Sequence, residues 1–292
     1  MPKRPAPVEE GKDNEVNIES PSREHEGEEK KEESTSEEEL GHIDVDFEFF
    51  NPGEEDFHGI KALLNNYVED EPQWHGSDLV EAIIASPMGS VIKCGSDEDV
   101  IGVASILRIS ESNLGMQDVK NFSLKFCPDD LKNDLERAWT AESATTGLLI
   151  SERLINCPPQ LAPPLMKSLM EEMDQASLSL QNVLFVTKAF LDPTVQMETK
   201  HNQKREKKQK IKNETKNKSI NKSSRRDLSE LIFTTPEGEY LCSVAAFAFA
   251  FPSPTANREE DDEFHPYRVV ASIAVDKIPE ALDQMSEVVS QV

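Results

Sequence analysis

The chain has 292 residues, 37% hydrophobic and 30% charged, with a formal net charge of −25. That length and apolar content suffice for one large domain or two small ones around a core, while so acidic a balance repels nucleic-acid phosphates and attracts cationic partners. Cys94, Cys127, Cys157 and Cys242 stand too far apart for a zinc site and read as reduced intracellular thiols, and no apolar run reaches the roughly 18 residues of a membrane helix, so the chain reads as soluble.

The charge is unevenly placed. Residues 1–40 carry 14 acidic and 6 basic side chains, residues 200–226 carry 2 acidic and 12 basic, and the other 225 hold 40 acidic and 13 basic, net −27. The first 40 residues, rich in Glu, Ser, Pro and Lys, bury too little to offset the entropy of ordering and are expected to be a disordered acidic tail. Within it Ser34 and Ser36 precede Glu37–Glu39 as in an acidic-directed kinase site. Such a tail either screens basic clients or solubilises the chain.

Order is predicted from Ile43. Ile43, Val45, Phe47 and Phe49 alternate with Asp44, Asp46 and Glu48, the period of a strand with one face buried. Asp56 or a neighbour caps a helix carrying Phe57, Ile60, Leu63, Leu64 and Tyr67, and Ser77 with Asp78 opens a second through Ile84. Residues 90–94 and 100–109 read as strands of an antiparallel hairpin joined by the acidic turn Asp97, Glu98 and Asp99. Helices are expected over 117–127 and 129–140.

Gly147-Leu148-Leu149-Ile150 then forms an apolar run suited to a strand covered on both faces. Ser151-Glu152-Arg153 follows, then a corner stiffened by Pro158 and Pro159. Beyond it Leu161, Leu165, Met166, Leu169 and Met173 share one helix face, with Pro163 and Pro164 in the first turn. Glu152 and Arg153 are expected to form an ion pair or backbone clamp at this corner, the functional alternative being a binding pair.

Residues 183–190 are predicted to be a strand, closed by Asp192-Pro193. The insert at about 195–227 is expected to stay solvated because like charges in a block cannot pack. Its cluster Lys204, Arg205, Lys207, Lys208 and Lys210 resembles a nuclear-import signal; the alternatives are a plain charged loop or nucleic-acid contact, the latter without interleaved aromatics for stacking. A turn is expected at residues 236–239 and a long strand over 240–251, its Phe residues on one face and its Ala residues on the other. The acidic loop Glu259, Glu260, Asp261, Asp262 and Glu263 leads to a strand over 269–275, and Pro279 starts a last helix carrying Leu282, Met285, Val288 and Val289. The order gives one α/β domain over 43–292, a mixed, mostly antiparallel sheet of about seven strands flanked by helices.

The string from Gly147 to Met173, with Val45–Phe50, Asp56, Gly59, Ile60, Leu63, Leu64, Gly89–Lys93 and Asp118–Cys127, resembles the BCCIP family. These are nuclear proteins named for binding a breast-cancer susceptibility protein and a cyclin-dependent-kinase inhibitor, with a fungal member that is a nuclear chaperone and export factor. The resemblance implies a fold similar to the GCN5-related acetyltransferases, which cradle the coenzyme pyrophosphate in a Gln/Arg-x-x-Gly-x-Gly/Ala loop. This sequence departs from that loop: Ser110-Glu111-Ser112-Asn113-Leu114-Gly115 is acidic with one glycine, and Ser151-Glu152-Arg153 has none. Walker, Gly-x-Gly-x-x-Gly, Gly-x-Ser-x-Gly and His-Glu-x-x-His patterns are missing, and His25, His42, His58, His75, His201 and His265 stand as lone residues. The reading is therefore a nuclear, non-catalytic binder without cofactor or metal. Its resemblance-implied client is a basic large-subunit ribosomal protein escorted through assembly or export. The alternatives are a cell-cycle and DNA-repair scaffold and a divergent acyltransferase. Candidate partner-binding residues are Asp44, Asp46 and Glu48, Asp97 to Asp99, and Glu259 to Glu263. No membrane contact and no specific nucleic-acid binding are expected.

Overall fold

In the computed structural model, which describes residues 45–69, 71–176, 179–192, 228–255 and 265–291, eight strands and seven α-helices are seen among the described residues. All lie in one unit, Val45–Val292. Asp44, the lysine-rich insert with Lys204, Arg205, Lys207, Lys208 and Lys210, and the acidic run 259–263 lie outside the described residues, as do residues 1–43.

The strands are β1 Glu48–Phe50, β2 Gly89–Lys93, β3 Gly102–Arg108, β4 Thr146–Arg153, β5 Asn182–Leu191, β6 Leu231–Phe233, β7 Phe247–Pro252 and β8 His265–Ala274. They form one sheet in the order β1-β2-β3-β4-β5-β8-β7, with β6 paired to β5. Every pairing is antiparallel except β4 with β5, which is parallel. The eighth strand, β6, is three residues long and adds to the seven expected.

Helices cover both faces. On one, α1 Phe57–Leu63, α2 Gly76–Ile84, α3 Leu114–Lys125 and α4 Lys132–Trp139 pack over Leu148, Ile150, Leu184, Val186, Phe249 and Val270. On the other, α5 Ala162–Gln175, α6 Pro236–Ser243 and α7 Ile278–Val289 pack over Leu149, Val183, Phe185, Ala248, Ala271 and Ile273. β4 thus buries both of its faces, as its unbroken apolar run requires. Gly115 sets the approach of α3 to α2, since a Cβ there would lie 2.7 Å from the His75 carbonyl oxygen.

Asp56 makes no side-chain cap to α1, α2 begins at Gly76 ahead of Ser77 and Asp78, and β8 begins at His265 where a strand over 269–275 is expected; three further elements also differ. β1 begins at Glu48, and residues 45–47 precede it without strand pairing. α3 starts at Leu114 because Asn113 caps it, its side chain accepting from the Met116 N–H at 2.9 Å. The stretch 240–251 is divided: Thr235 accepts from the Gly238 N–H at 3.3 Å, Pro236 follows at the first helical position, and Glu237 and Glu239 sit in the first turn. That capping chemistry extends α6 through Ser243 and delays β7 to Phe247. Within β7 the alternation holds, with Phe249 and Phe251 on one core and Ala248 on the other.

Candidate functional site

Two places gather charged or unpaired groups. The first is the β1 edge of the sheet. Glu48 lies opposite Lys93 in the antiparallel β1–β2 register, so the residues before Glu48 run beside those that follow Lys93. Asp46 and Glu48 therefore share one corner with Asp97, Glu98 and Asp99 in the β2–β3 connection, all five exposed. Exposed Glu54 and Glu55, in the turn between β1 and α1, add two more carboxylates that the sequence reading did not single out. Their signal was legible, since acidic residues favour the first turn of a helix. Lys93 does not neutralise this corner. Its ammonium turns inward to Asp56, 2.5 Å from Oδ1, with both side chains almost fully buried, and packs over the Phe50 ring.

The second place lies where β4 and β5 end. Their ladder runs only from Thr146↔Asn182 to Leu149↔Phe185. β4 continues to Arg153 along β3, and β5 continues to Leu191 along β8, so the two parallel strands part. β6 takes up the vacated edge of β5 at Ala189–Leu191, and Thr234 N–H donates to the Lys188 carbonyl at 3.2 Å. A cleft of about 450 Å³ remains, walled by Glu152, Arg153, Leu154, Ile155, Cys157, Pro159, Lys188, Phe190 and Thr234–Pro236.

Glu152 and Arg153 meet here but do not pair with each other. Successive strand residues point to opposite faces. Glu152 takes the Lys188 ammonium at 2.5 Å, whereas Arg153 reaches across the other face to Glu237 at the start of α6. Ser151 Oγ donates to the same Glu237 carboxylate at 3.0 Å. The two residues fasten β4 to β5 and to α6 rather than to each other, and the proline corner follows them without their direct hold. Burial raises the Glu152 carboxyl above the ordinary carboxylate range, opposed by Lys188 and Arg268. Beneath it, Arg268 binds Glu69, which also accepts from Ser253 and Thr255. Burial pushes the Glu69 carboxyl up, but the Ser253 bond and the Arg268 guanidinium outweigh it and hold the group below its usual range. Lys188 and Glu237 were missed as site residues. A lysine inside an otherwise buried strand was the available clue.

The donor set at the end of β4 does not fit a coenzyme pyrophosphate. Between Leu154 and the first turn of α5 stand Pro158, Pro159, Pro163 and Pro164 and no glycine. Proline has no N–H, so the amides that would face an anion at this helix start are missing. Among the described residues no group of three or more His, Cys, Asp or Glu side chains is placed to hold a metal ion, and no helix is long and apolar enough to cross a membrane. A larger hollow of about 740 Å³, between α2 and the start of α3, has no buried polar side chain in its wall.

The sequence matches the BCCIP family over residues 42–241. It is similar to a BCCIP homologue of Arabidopsis thaliana, 29% identical over 285 residues that span 90% of this chain and 80% of the plant protein. It is also similar to the BRCA2 and CDKN1A-interacting protein of Bos taurus, 25% identical over 276 residues, 84% of this chain and 83% of that protein. The crystal structure of BCP1 from Saccharomyces cerevisiae superimposes with a TM-score of 0.58 at 19% identity, covering 89% of this chain and 96% of the yeast chain, so the two share a fold. The parted β4–β5 pair, with its stiff proline corner, lies within the matched residues 42–241, and the chain belongs to the BCCIP family.

Proposed function

We propose that this protein is a non-catalytic nuclear binding factor that holds basic clients on the carboxylates of its β1 edge. The client class is a lysine- and arginine-rich protein, such as one of the large ribosomal subunit, escorted during assembly or export. One observation carries the reading. At the corner formed by Asp46, Glu48, Asp97, Glu98 and Asp99, the neighbouring cation Lys93 is consumed internally by Asp56, so the exposed carboxylates there go uncompensated by it. Exposed like charges repel one another and are relieved by a cationic partner, with attraction that weakens as salt screens it.

Affinity capture from nuclear extract at low and moderate salt tests this. Recovery of a basic ribosomal protein in stoichiometric amount, lost as salt rises, is the expected result; no enrichment of basic proteins at low salt sinks it. A second reading, a scaffold for cell-cycle and repair factors, is favoured by the bovine relative, whose name states that it interacts with BRCA2 and CDKN1A. Recovery of such factors in place of a ribosomal protein selects it. Acyl transfer is tested by calorimetry with acetyl-CoA, for which no binding heat is expected given the proline-rich turn after β4. Nuclear entry is assigned to Lys204, Arg205, Lys207, Lys208 and Lys210. Deleting residues 200–226 is expected to shift a tagged protein to the cytosol, and unchanged nuclear accumulation removes that role.

A further inference from the structure

The cleft between β4 and β5 differs from the acidic edge in every property that selects a ligand. Its wall is neutral, because Glu152 with Lys188 and Arg153 with Glu237 cancel in internal pairs. Its mouth is apolar. Six large hydrophobic side chains are exposed among the described residues; of these Leu154 and Ile155 line the cleft and Ile232 stands on β6. A fourth, Val288, lines an adjoining hollow of about 240 Å³ that shares Pro159, Thr234, Thr235 and Pro236 with it and has one charged side chain, the exposed Glu239, on its far wall. Ile155 is 88% exposed, an unusual placement for an isoleucine beside a buried strand.

The cleft also keeps unmet hydrogen-bonding capacity. From Ile150 to Arg153, β4 has a ladder to β3 and none to β5. The Arg153 side chain is 4% exposed, and while it binds Glu237, its Nη1 has no partner. A buried N–H without an acceptor costs free energy until one arrives.

We propose that this cleft is a peptide groove for an extended, uncharged, aliphatic segment of a partner protein. The segment lies along the edge of β4 that β5 has left, as an added strand. One of its carbonyl oxygens accepts from Arg153 Nη1, and alternate side chains cover Leu154 and Ile155. Charge complementarity selects this occupant: a neutral wall gains nothing from a cationic segment, which belongs at the carboxylate corner. The chain's own insert, with 12 basic side chains in residues 200–226, is poorly matched for the same reason.

The test is to pan a phage-displayed library of short linear peptides against the full chain in about 0.5 M salt, where exposed charges are largely screened. The expected selection is rich in Leu, Ile, Val and Phe with no excess of Lys or Arg. Its affinity falls roughly tenfold or more in Ile155→Asp, from lost apolar burial, and stays unchanged in Asp97→Lys. Ile155 is exposed, so its variant folds, and Leu154→Asp gives an independent reading. No enrichment, selection of basic peptides, or binding indifferent to both cleft variants overturns the proposal. So does sedimentation showing that Ile155→Asp splits a dimer, which makes a second copy the occupant. Binding that rises strongly when residues 200–226 are deleted overturns it too, by making the insert the occupant.

Discussion

The β1 corner and the β4–β5 cleft are both organised by buried lysine or arginine paired with a carboxylate, yet they leave opposite surfaces behind. At the corner a single internal pair, Lys93 with Asp56, withdraws the cation and leaves Asp46, Glu48, Asp97, Glu98 and Asp99 outside. At the cleft two pairs balance both signs, with Lys188 partly exposed and its three companions buried, and Leu154 and Ile155 stand out to solvent beside them. The sign of a surface is therefore decided by which charges the interior takes up. Buried ion pairs are poor sources of net stability, but each has a large consequence for what remains exposed.

The strongest way to break this contrast is to strand a charge. Glu237→Leu leaves Arg153 buried without its carboxylate and is expected to cost about 3–5 kcal/mol in urea unfolding. Adding Arg153→Met should restore most of it, and a double variant as unstable as the single would show that packing, not charge, matters there. Asp56→Ala should cost about 3 kcal/mol by the same measurement, with Lys93 left unpaired.

Charge reversal sharpens the comparison from outside. Replacing Asp97, Glu98 and Asp99 together by Lys should change stability by no more than about 0.5 kcal/mol per site, since all three are exposed. The same variant should weaken binding of a lysine-rich peptide about tenfold at low salt and flatten its salt dependence, as titration calorimetry would read.

The pH dependence involves Glu69 under the cleft. Its folded-state carboxyl titrates below the usual value of 4.5, so it contributes stability that is complete above that value and is lost as pH falls through the lower, folded one. Urea midpoints measured across the acid range should fall less steeply in Glu69→Gln than in the parent. The smallest effect is chemical: Cys242 is buried, its thiol pushed up to about 12, so exposed Cys94 should take an alkylating reagent first at neutral pH, read by mass spectrometry.

Much of the sheet could be read from the chain because the signal was local. Leu148 to Ile150 is apolar on both faces, and so is its environment. The hairpin of β2 and β3, and the parting of Phe from Ala in β7, follow the same period-two pattern. Where two local signals competed the apolar run misled: Tyr240, Leu241 and Cys242 lead toward the alternating residues of β7, but Thr235 and Pro236 had already begun a helix. The site was less legible for a different reason. Glu152 finds its partner 36 residues away and Arg153 finds its own 84 away, so neither pairing leaves a spacing to recognise. Only the pleat, which sends adjacent residues to opposite faces, argued against joining the two to each other.

The short ladder between β5 and β6 joins two stretches of chain that are far apart in sequence. Ala189–Leu191 pair with Leu231–Phe233, and the Asp192 N–H donates to the Glu230 carbonyl at 2.9 Å, so Asp192 and Glu230 are held side by side. Because the pairing is made entirely by residues on either side of the span between them, the register of β5 and β6 rests on Ala189–Leu191 and Leu231–Phe233 themselves.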